Sequence, residues 1–417
     1  METPAFDKRP AGASRRLLHI NRRTLATFAC GALLALMPHA PLHADAGEAD
    51  GAAPTPVALG AQLFTDPGLS ASGDLACATC HDPAHAHAQA NGLPVQYGGA
   101  QRDVPGFRAV PSLRYLAFTP KFGFDAEGVP SGGFDRDGRA ADLMVQAVRP
   151  LFAAHEMANA SAAELAARVA QAPYAADFRR VFGAGILADA DATVRAVVFA
   201  LAQYQKADPD FRPFDSKYDY FLRGAVRLDP AELRGLALFN RADKGNCAAC
   251  HPSGRGADGA LPLFTDFSYD NLGVPRNAAI PATRDDGYRD MGLCGPDRTD
   301  LADAVALCGA FKVPTLRNVA TRRVFFHNGR FATLAEALRF YVRRDTNPGE
   351  FYPPGDDGSP QKFDDLPPEF AGNVNATEVP YDRLAGELPR LSDAELADLE
   401  AFLNTLTDGW KPLALRK

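Results

Sequence analysis

Two copies of the pattern Cys-x-x-Cys-His constrain this chain more than any other feature. The first copy spans residues 77–81 and the second spans residues 247–251. In this pattern the two thiols add to the vinyl groups of a haem, and the histidine becomes a ligand of its iron. A zinc ribbon would hold its cysteine pairs much closer than positions 77 and 247. A dithiol redox pair would not need the histidine, so the sequence predicts two c-type haems.

The two motifs name the predicted cofactor-binding residues. His81 and His251 are the predicted proximal ligands of the two irons. The cysteines that attach the haems are then Cys77, Cys80, Cys247 and Cys250.

The N-terminal region has the composition of a secretory signal. Basic residues, among them Arg15 and Arg16, precede an apolar run over residues 25–37 and an Ala44-Asp45-Ala46 sequence. A basic region, a short apolar core and an A-x-A-like cleavage site mark a signal peptide, here predicted over residues 1–46. We therefore expect the mature protein in the periplasm, with no membrane span once the signal is removed.

Charge and the remaining cysteines agree with an exported protein. After residue 46 the chain carries 38 basic and 48 acidic residues, a net charge of −10. Such a protein is a poor nucleic-acid binder, so no nucleic-acid partner is expected. Cys294 and Cys308 are predicted to form a disulfide in an oxidising compartment, the alternative being two unpaired buried thiols.

Periodicity and capping patterns predict a mostly α protein. Residues 82–138 are interpreted as loop, and the Pro-, Gly- and Asp-rich residues 348–380 as a solvated loop. A capping box is expected at Ser161 and Glu164, and another at Ser392 and Glu395. The helices are predicted over residues 58–64, 139–152, 161–171, 173–182, 189–206, 230–239, 333–344 and 392–406.

The order of elements repeats along the chain. A helix, a small loop and a Cys-x-x-Cys-His motif occur in this order twice, and residues 107–114 resemble residues 311–317. The repeat predicts two tandem cytochrome c-like domains, each with one covalently bound haem. Residues 52–224 would form the N-terminal domain and residues 225–417 the C-terminal domain.

Several blocks beyond the haem motifs resemble the bacterial dihaem cytochrome c peroxidases and their relative MauG. The resemblance covers nearly all of residues 56–408. The blocks are Asp137-Gly138-Arg139-Ala140 with Leu143, Gln146, Pro150, Glu156 and Met157; Phe264-Thr265-Asp266; Asn271-Leu272-Gly273-Val274-Pro275; Pro314-Thr315-Leu316-Arg317-Asn318; and Phe326-His327-Asn328-Gly329.

The resemblance implies roles for particular residues. The N-terminal haem of the family reacts with peroxide, and the C-terminal haem handles electrons. Glu156 matches the catalytic distal glutamate, and Gln146 matches a distal position that shapes the pocket. Tyr341 matches the position of the second iron's sixth ligand, which is Met in the peroxidases and Tyr in MauG. His327 is the competing ligand.

The chain also departs from the family pattern. The tryptophan between the haems falls on Arg136, and the distal histidine of the peroxidases has no match. His85 and His87 are expected to be exposed loop histidines, with a distal ligand as the alternative. We therefore expect an open first haem. The family's calcium site uses an asparagine that falls on Ala109, and its loss makes calcium doubtful.

The sequence thus predicts a periplasmic enzyme that reduces hydrogen peroxide and uses the oxidising equivalents on a partner protein, as MauG-like enzymes do. Two alternatives remain at this stage. One is a cytochrome c peroxidase that detoxifies peroxide with electrons from a small redox protein. The other is a non-enzymatic dihaem electron carrier.

Overall fold

The computed structural model describes residues 53–412, so the predicted signal peptide lies outside the described residues. Helices dominate the regular structure of this part of the chain, as predicted. The helices are α1 (Pro56–Thr65), α2 (Cys77–Cys80), α3 (Leu143–Phe152), α4 (Ala162–Gln171), α5 (Ala175–Phe182), α6 (Ala190–Ala207), α7 (Lys217–Leu222), α8 (Pro230–Asn240), α9 (Leu334–Arg343) and α10 (Asp393–Asn404).

Short antiparallel strand pairs lie in the connecting segments. Each strand has two residues, so these pairs fix loops and form no extended sheet. The pairs are β1 (Tyr97–Gly98) with β2 (Val104–Pro105), β3 (Gly123–Phe124) with β4 (Pro130–Ser131), and β5 (Tyr269–Asp270) with β6 (Phe311–Lys312).

Side-chain caps fix where helices begin. The capping box at Ser392 and Glu395 forms as predicted. The Ser161 hydroxyl accepts a hydrogen bond from the Glu164 N–H. The Glu164 carboxylate, however, accepts from the N–H of Ala160 and not from that of Ser161. Helix α3 starts later than predicted, because the Asp142 side chain caps it by accepting two backbone N–H groups. The predicted start, Arg139, instead pairs with the acidic residues before it.

The N-terminal half packs around α1 and α6. Leu63 and Phe64 from α1 are buried against Val197 and Leu201 from α6, and α4 adds Leu165. Burying one side chain of this size stabilises the fold by about 1.5–3 kcal/mol. This core therefore holds the first haem motif, since α2 follows α1 and packs against it.

The C-terminal half repeats this arrangement with α8 and α10. Phe239 from α8 packs against Phe402 from α10, and Phe264 completes an aromatic cluster with ring centroids 5.2–6.3 Å apart. Helix α9 covers the same core with Leu338 and Val342. The predicted domain boundary after residue 224 stays a prediction.

A buried charge network joins the two halves. Arg108 donates two hydrogen bonds to Asp290, at 2.6 and 2.7 Å, and a third to Asp137 at 2.7 Å. Both carboxylates are almost fully buried. Arg149 reaches across to Asp297 at 2.6 Å. Separating paired buried charges costs free energy, because each charge is left without its partner. This network therefore resists separation of the two halves.

Residues 348–380 are largely exposed, as predicted, but they also contribute several buried residues to the fold. Tyr352 is buried and donates to a backbone carbonyl, and Asp365 is buried and pairs with Arg276 at 2.9 Å. The carbonyl of Asn375 accepts from the buried Arg344 at 2.6 Å. The polar composition of this segment serves internal cations, which sequence alone does not distinguish from solvation.

Candidate haem sites and active site

The first motif presents His81 in a fixed orientation. Its backbone N–H closes a helical turn on the Cys77 carbonyl at 2.9 Å. Its Nδ1 lies 3.2 Å from the His87 carbonyl oxygen and 3.1 Å from that of Pro111. An Nδ1–H that donates to carbonyls leaves Nε2 as the free ring nitrogen, which is how metal-ligating histidines are oriented. Burial lowers the pKa of His81 to about 4, so the ring is neutral.

The second motif repeats this geometry. The His251 N–H bonds the Cys247 carbonyl at 2.8 Å, and Nδ1 donates to the Phe264 carbonyl at 2.7 Å. Burial lowers the pKa of His251 as well. Both predicted proximal histidines therefore have one nitrogen engaged by the backbone and one available for iron.

None of the four motif cysteines forms a disulfide within the described residues. Burial raises the pKa of Cys77 and that of Cys250 to about 12. A redox dithiol needs a lowered pKa, so these thiols fit covalent attachment better than disulfide exchange. By contrast, Cys294 and Cys308 form the predicted disulfide, with Cα atoms 5.0 Å apart.

A cavity of about 320 Å³ adjoins the second motif. Cys247, Cys250 and His251 line it, and apolar side chains form much of the wall, including Leu316, Val319, Leu338 and Leu403. An apolar pocket with two thiols and one free imidazole nitrogen suits a covalently held haem. The residues present thus fit the cofactor that the motif predicts.

Both candidate sixth ligands line this cavity, in different surroundings. Tyr341, on α9, lies with its ring centroid 5.6 Å from that of Phe326 and 6.1 Å from that of Tyr381. Burial raises the pKa of the Tyr341 phenol, and Asp270 and the motif cysteines raise it further. Tyr341 therefore lies close to the thiols of the second motif.

His327 lies among charged groups of both signs, and its Nε2 is 4.0 Å from Asp365 Oδ2. Its ring stacks on Phe311 at 3.8 Å, and its Nε2 has no hydrogen-bond partner among the described residues. Burial is the main cause that lowers the pKa of His327 to about 3. The charge of Asp290 acts in the opposite direction, and the charges of Arg108 and Arg136 contribute to the lowering. The imidazole is therefore neutral.

Glu156 lies beside the first motif. Its carbonyl accepts the Gly99 N–H at 2.9 Å, which ties it to the loop after β1. Its side chain is 36% exposed, with an oxygen 3.4 Å from His155 Nε2. Burial is the largest cause of the raised pKa of Cys80, and the negative charge of Glu156 is the second largest. The structure thus brings the predicted catalytic carboxylate close to the first motif.

Gln146, on α3, is the other residue predicted for the distal pocket. It lines the cavity of the second motif, together with Pro111, whose carbonyl faces His81 Nδ1. The cavity therefore extends from the second motif towards the backbone that orients the first.

The expectation that His87 is an exposed loop histidine was wrong. Its side chain is fully buried, with Nε2 2.8 Å from Asp210 and the ring stacked on Phe211 at 4.0 Å. Its carbonyl faces His81, so it supports the proximal side of the first motif. The His85 side chain is one-third exposed, and its Nδ1 lies 2.9 Å from Asp82 Oδ2.

Two residues near the site were not found from sequence. His155 packs edge-on against Phe107, with ring centroids 5.2 Å apart, and contacts Glu156. Asp135 has a left-handed backbone, with φ of 64°, and lines the cavity. Burial, with contributions from the charges of Asp137 and Glu156, raises the pKa of Asp135 to about 6. Only their adjacency to family blocks could have signalled them.

The chain is similar to a known family of dihaem proteins. Residues 54–227 match the family described as di-haem cytochrome c peroxidase. The methylamine utilization protein MauG of Paracoccus denitrificans is 38% identical over 386 residues, covering 90% of this chain and 95% of that protein. The cytochrome c551 peroxidase of Nitrosomonas europaea is 30% identical, covering 70% of this chain and 75% of that protein.

A solved structure is similar across most of the fold. The dihaem peroxidase BthA from Burkholderia thailandensis is 39% identical, with a TM-score of 0.78, and covers 85% of this chain and 86% of that chain. The chain therefore belongs to the dihaem cytochrome c peroxidase family, as a peroxidase-type oxidoreductase with two c-type haems.

Proposed function

We propose that this chain is a periplasmic enzyme that reduces hydrogen peroxide at its first haem site and uses the oxidising equivalents on a partner protein. Residues 52–224 form the peroxide-reacting domain, and residues 225–417 the electron-transfer domain. The observation that carries the proposal is the position of Glu156, a solvent-accessible carboxylate beside the first motif.

Cys77 and Cys80 hold the first haem, and His81 is its proximal ligand. When bound, the haem supplies the two electrons that reduce peroxide. The carbonyls of His87 and Pro111 hold the imidazole in place, and burial keeps it neutral. Cys247, Cys250 and His251 hold the second haem in the same way.

Glu156 moves the proton. Its carboxylate accepts a proton from one oxygen of hydrogen peroxide and returns it to the other oxygen, which leaves as water. His155, 3.4 Å from that carboxylate, positions it. Gln146 matches a family position that shapes the distal pocket, and it transfers no proton. Because the Glu156 side chain is 36% exposed, small peroxide reaches it from solvent.

Tyr341 is the sixth ligand that the geometry favours at the second iron. The charges of Asp270 and the motif cysteines influence the Tyr341 phenol, whereas the charged groups around His327 are Asp290, Asp365 and arginines. A phenolate donor stabilises an oxidised iron, whereas methionine raises the potential. A site that holds oxidising equivalents in this way suits oxidation of a partner protein more than rapid acceptance of electrons from a small donor.

Location and partner follow from the predicted signal peptide and the acidic mature chain. None of the helices within residues 53–412 combines the length and apolar character needed to cross a bilayer. A non-enzymatic carrier does not fit membership of a peroxidase family. The remaining alternative is a peroxidase fed by a small redox protein.

Replacing Glu156 by glutamine tests the proposal. Glu156→Gln keeps the shape of the side chain but cannot accept a proton, so kcat/KM for peroxide should fall by about 10²–10⁴-fold. Glu127→Gln, at an exposed loop position, is the matched control. Full peroxide turnover by Glu156→Gln would remove Glu156 from the mechanism.

Electron paramagnetic resonance tests the two iron sites. The ferric protein should show one high-spin signal, from the open first site, and one low-spin signal. Tyr341→Phe should change the low-spin signal, and His327→Gln should leave it unaltered. Two low-spin signals that peroxide does not affect would contradict an open first site. Steady turnover that requires only a small reduced redox protein would favour the plain peroxidase.

A further inference from the structure

Three half-buried cations line the cavity of the second motif without a carboxylate in an ion pair with them. Arg136, Arg322 and Lys312 all border this cavity. Among the ion pairs of the described residues, none within 4.0 Å involves any of these three side chains. Other arginines on the same wall are paired, as Arg317 is with Asp219 at 2.8 Å. The three cations are therefore an exception in this wall.

Backbone carbonyls occupy some of their donors. Arg136 donates to the Ala109 carbonyl through Nε at 3.0 Å and Nη2 at 2.9 Å. Arg322 donates to the next carbonyl, that of Val110, at 2.8 Å. Lys312 donates to the Gly133 carbonyl. Carbonyl oxygens satisfy N–H groups but do not neutralise a positive charge, and among the three only Lys312 is influenced by Asp135 and Asp137.

The nearby carboxylates are already engaged. Asp290, the acidic residue that most influences Arg136, binds Arg108 through both of its oxygens. Burial lowers the pKa of Arg136 to about 9 and that of Arg322 to about 10, which still leaves both protonated at neutral pH. Charges inside proteins are normally paired, so Arg136 and Arg322 suit an anionic group of a ligand in this cavity.

We propose that Arg136 and Arg322 bind the propionate carboxylates of the haem attached at Cys247 and Cys250. This inference rests on the proposed second haem site. The cavity that holds the thiols is the one that both guanidinium groups border, so one ligand can reach both ends. The planar guanidinium fork matches a carboxylate with two hydrogen bonds, which explains arginine at these positions.

The assignment gives Arg136 a role of its own. This position carries a tryptophan in the family that the sequence resembles, and here it carries a fixed positive charge. A cation that neutralises a propionate favours the reduced, less positive iron, and so raises the haem reduction potential. Arg136 thus tunes the second haem electrostatically.

Spectroelectrochemical titration of the holoprotein tests this inference. Arg136→Gln and Arg322→Gln should each lower the midpoint potential of the second haem, and the double variant should lower it further. Arg136→Lys, which keeps the charge but loses the fork, should give a smaller shift. Arg195→Gln, which removes an exposed charge on α6, should leave both potentials unchanged. The propionate bending modes in resonance Raman spectra should shift in the glutamine variants only.

Potentials of both glutamine variants equal to those of Arg195→Gln would overturn the inference, as would a shift confined to the first haem. If the glutamine variants do not take up haem, Arg136→Lys and Arg322→Lys decide instead, with no shift in either counting against it. Pyridine haemochrome analysis counts the attached haems separately. Failure of haem attachment is therefore distinguishable from failure of propionate binding.

Discussion

Two glycines mark the closest approach of helices in the two halves. Gly60 on α1 faces α6, and Gly235 on α8 faces α10. A Cβ at Gly235 would lie 2.7 Å from the Asp398 carbonyl carbon, and one at Gly60 would lie 2.8 Å from that of Ala200. Carbon atoms pack at about 3.5–4.0 Å, so alanine would force each helix pair apart by about 1 Å.

The expected cost follows from this displacement. The clash is with backbone, which cannot rotate away, so it belongs at the upper end of overpacking costs, about 3 kcal/mol. Alanine improves helix propensity over glycine and offsets about 1 kcal/mol. Gly235→Ala should therefore lower the free energy of unfolding by about 2 kcal/mol, and Gly60→Ala should do the same in the other half.

Urea denaturation of the holoprotein measures this cost, with far-ultraviolet circular dichroism for the fold and haem absorbance for each half. Gly60→Ala should shift mainly the transition of the first haem, and Gly235→Ala that of the second. Gly372→Ala is the control, because a Cβ there has nothing within 4 Å, and its effect should stay within about 0.5 kcal/mol. Wild-type stability of Gly235→Ala would refute the packing argument.

Three further predictions concern buried charges and the cross-link. Burial opposes ionisation of Asp219, but hydrogen bonds from Arg317 hold its pKa below the usual range, so Asp219→Asn should cost about 3–5 kcal/mol. Because the folded pKa is depressed, this difference is complete above about pH 4 and shrinks as the pH falls, which urea titrations at several pH values will show. Asp135 is the opposite case. Its folded pKa of about 6 is raised, so folding loses stability as the pH rises from about 4 to 6. Asparagine tolerates the left-handed backbone there, and Asp135→Asn should raise neutral-pH stability by about 2 kcal/mol, with equal stability of both proteins contradicting this. Replacing Cys294 and Cys308 by serine removes a cross-link across 14 positions and should lower thermal stability by about 3 kcal/mol.

Covalent and capping patterns could be predicted from the sequence because they depend on neighbours along the chain. The disulfide and the box at Ser392 are confirmed, and the helical character of the chain is as expected. Helix α7, over Lys217–Leu222, is not among the predicted helices, although Ser216 and Asp219 form a capping box there. That helix is short and its apolar residues face a core built from distant segments, which local periodicity does not reveal.

Burial of polar groups could not be predicted, because it depends on partners far along the chain. His87 meets Asp210, which lies 123 positions later, and thereby becomes a core residue. Asp290 looks like a surface charge in sequence and is buried in the structure, where Arg108 binds it. A polar residue with a distant partner has the same local signature as a solvated one.

The two haem sites share a plan and differ in what surrounds it. Each proximal histidine is held through Nδ1 by backbone carbonyls, and each motif follows a helix that crosses its partner at a glycine. The two sites differ in the other side chains that lie near each motif. Glu156 near the first motif is 36% exposed, whereas burial raises the phenol pKa of Tyr341 near the second. A peroxide-reacting site needs access and a mobile proton, and a site that holds oxidising equivalents needs shielding from water. The differences in exposure and charge between the two sites therefore suit the two tasks that we propose for them.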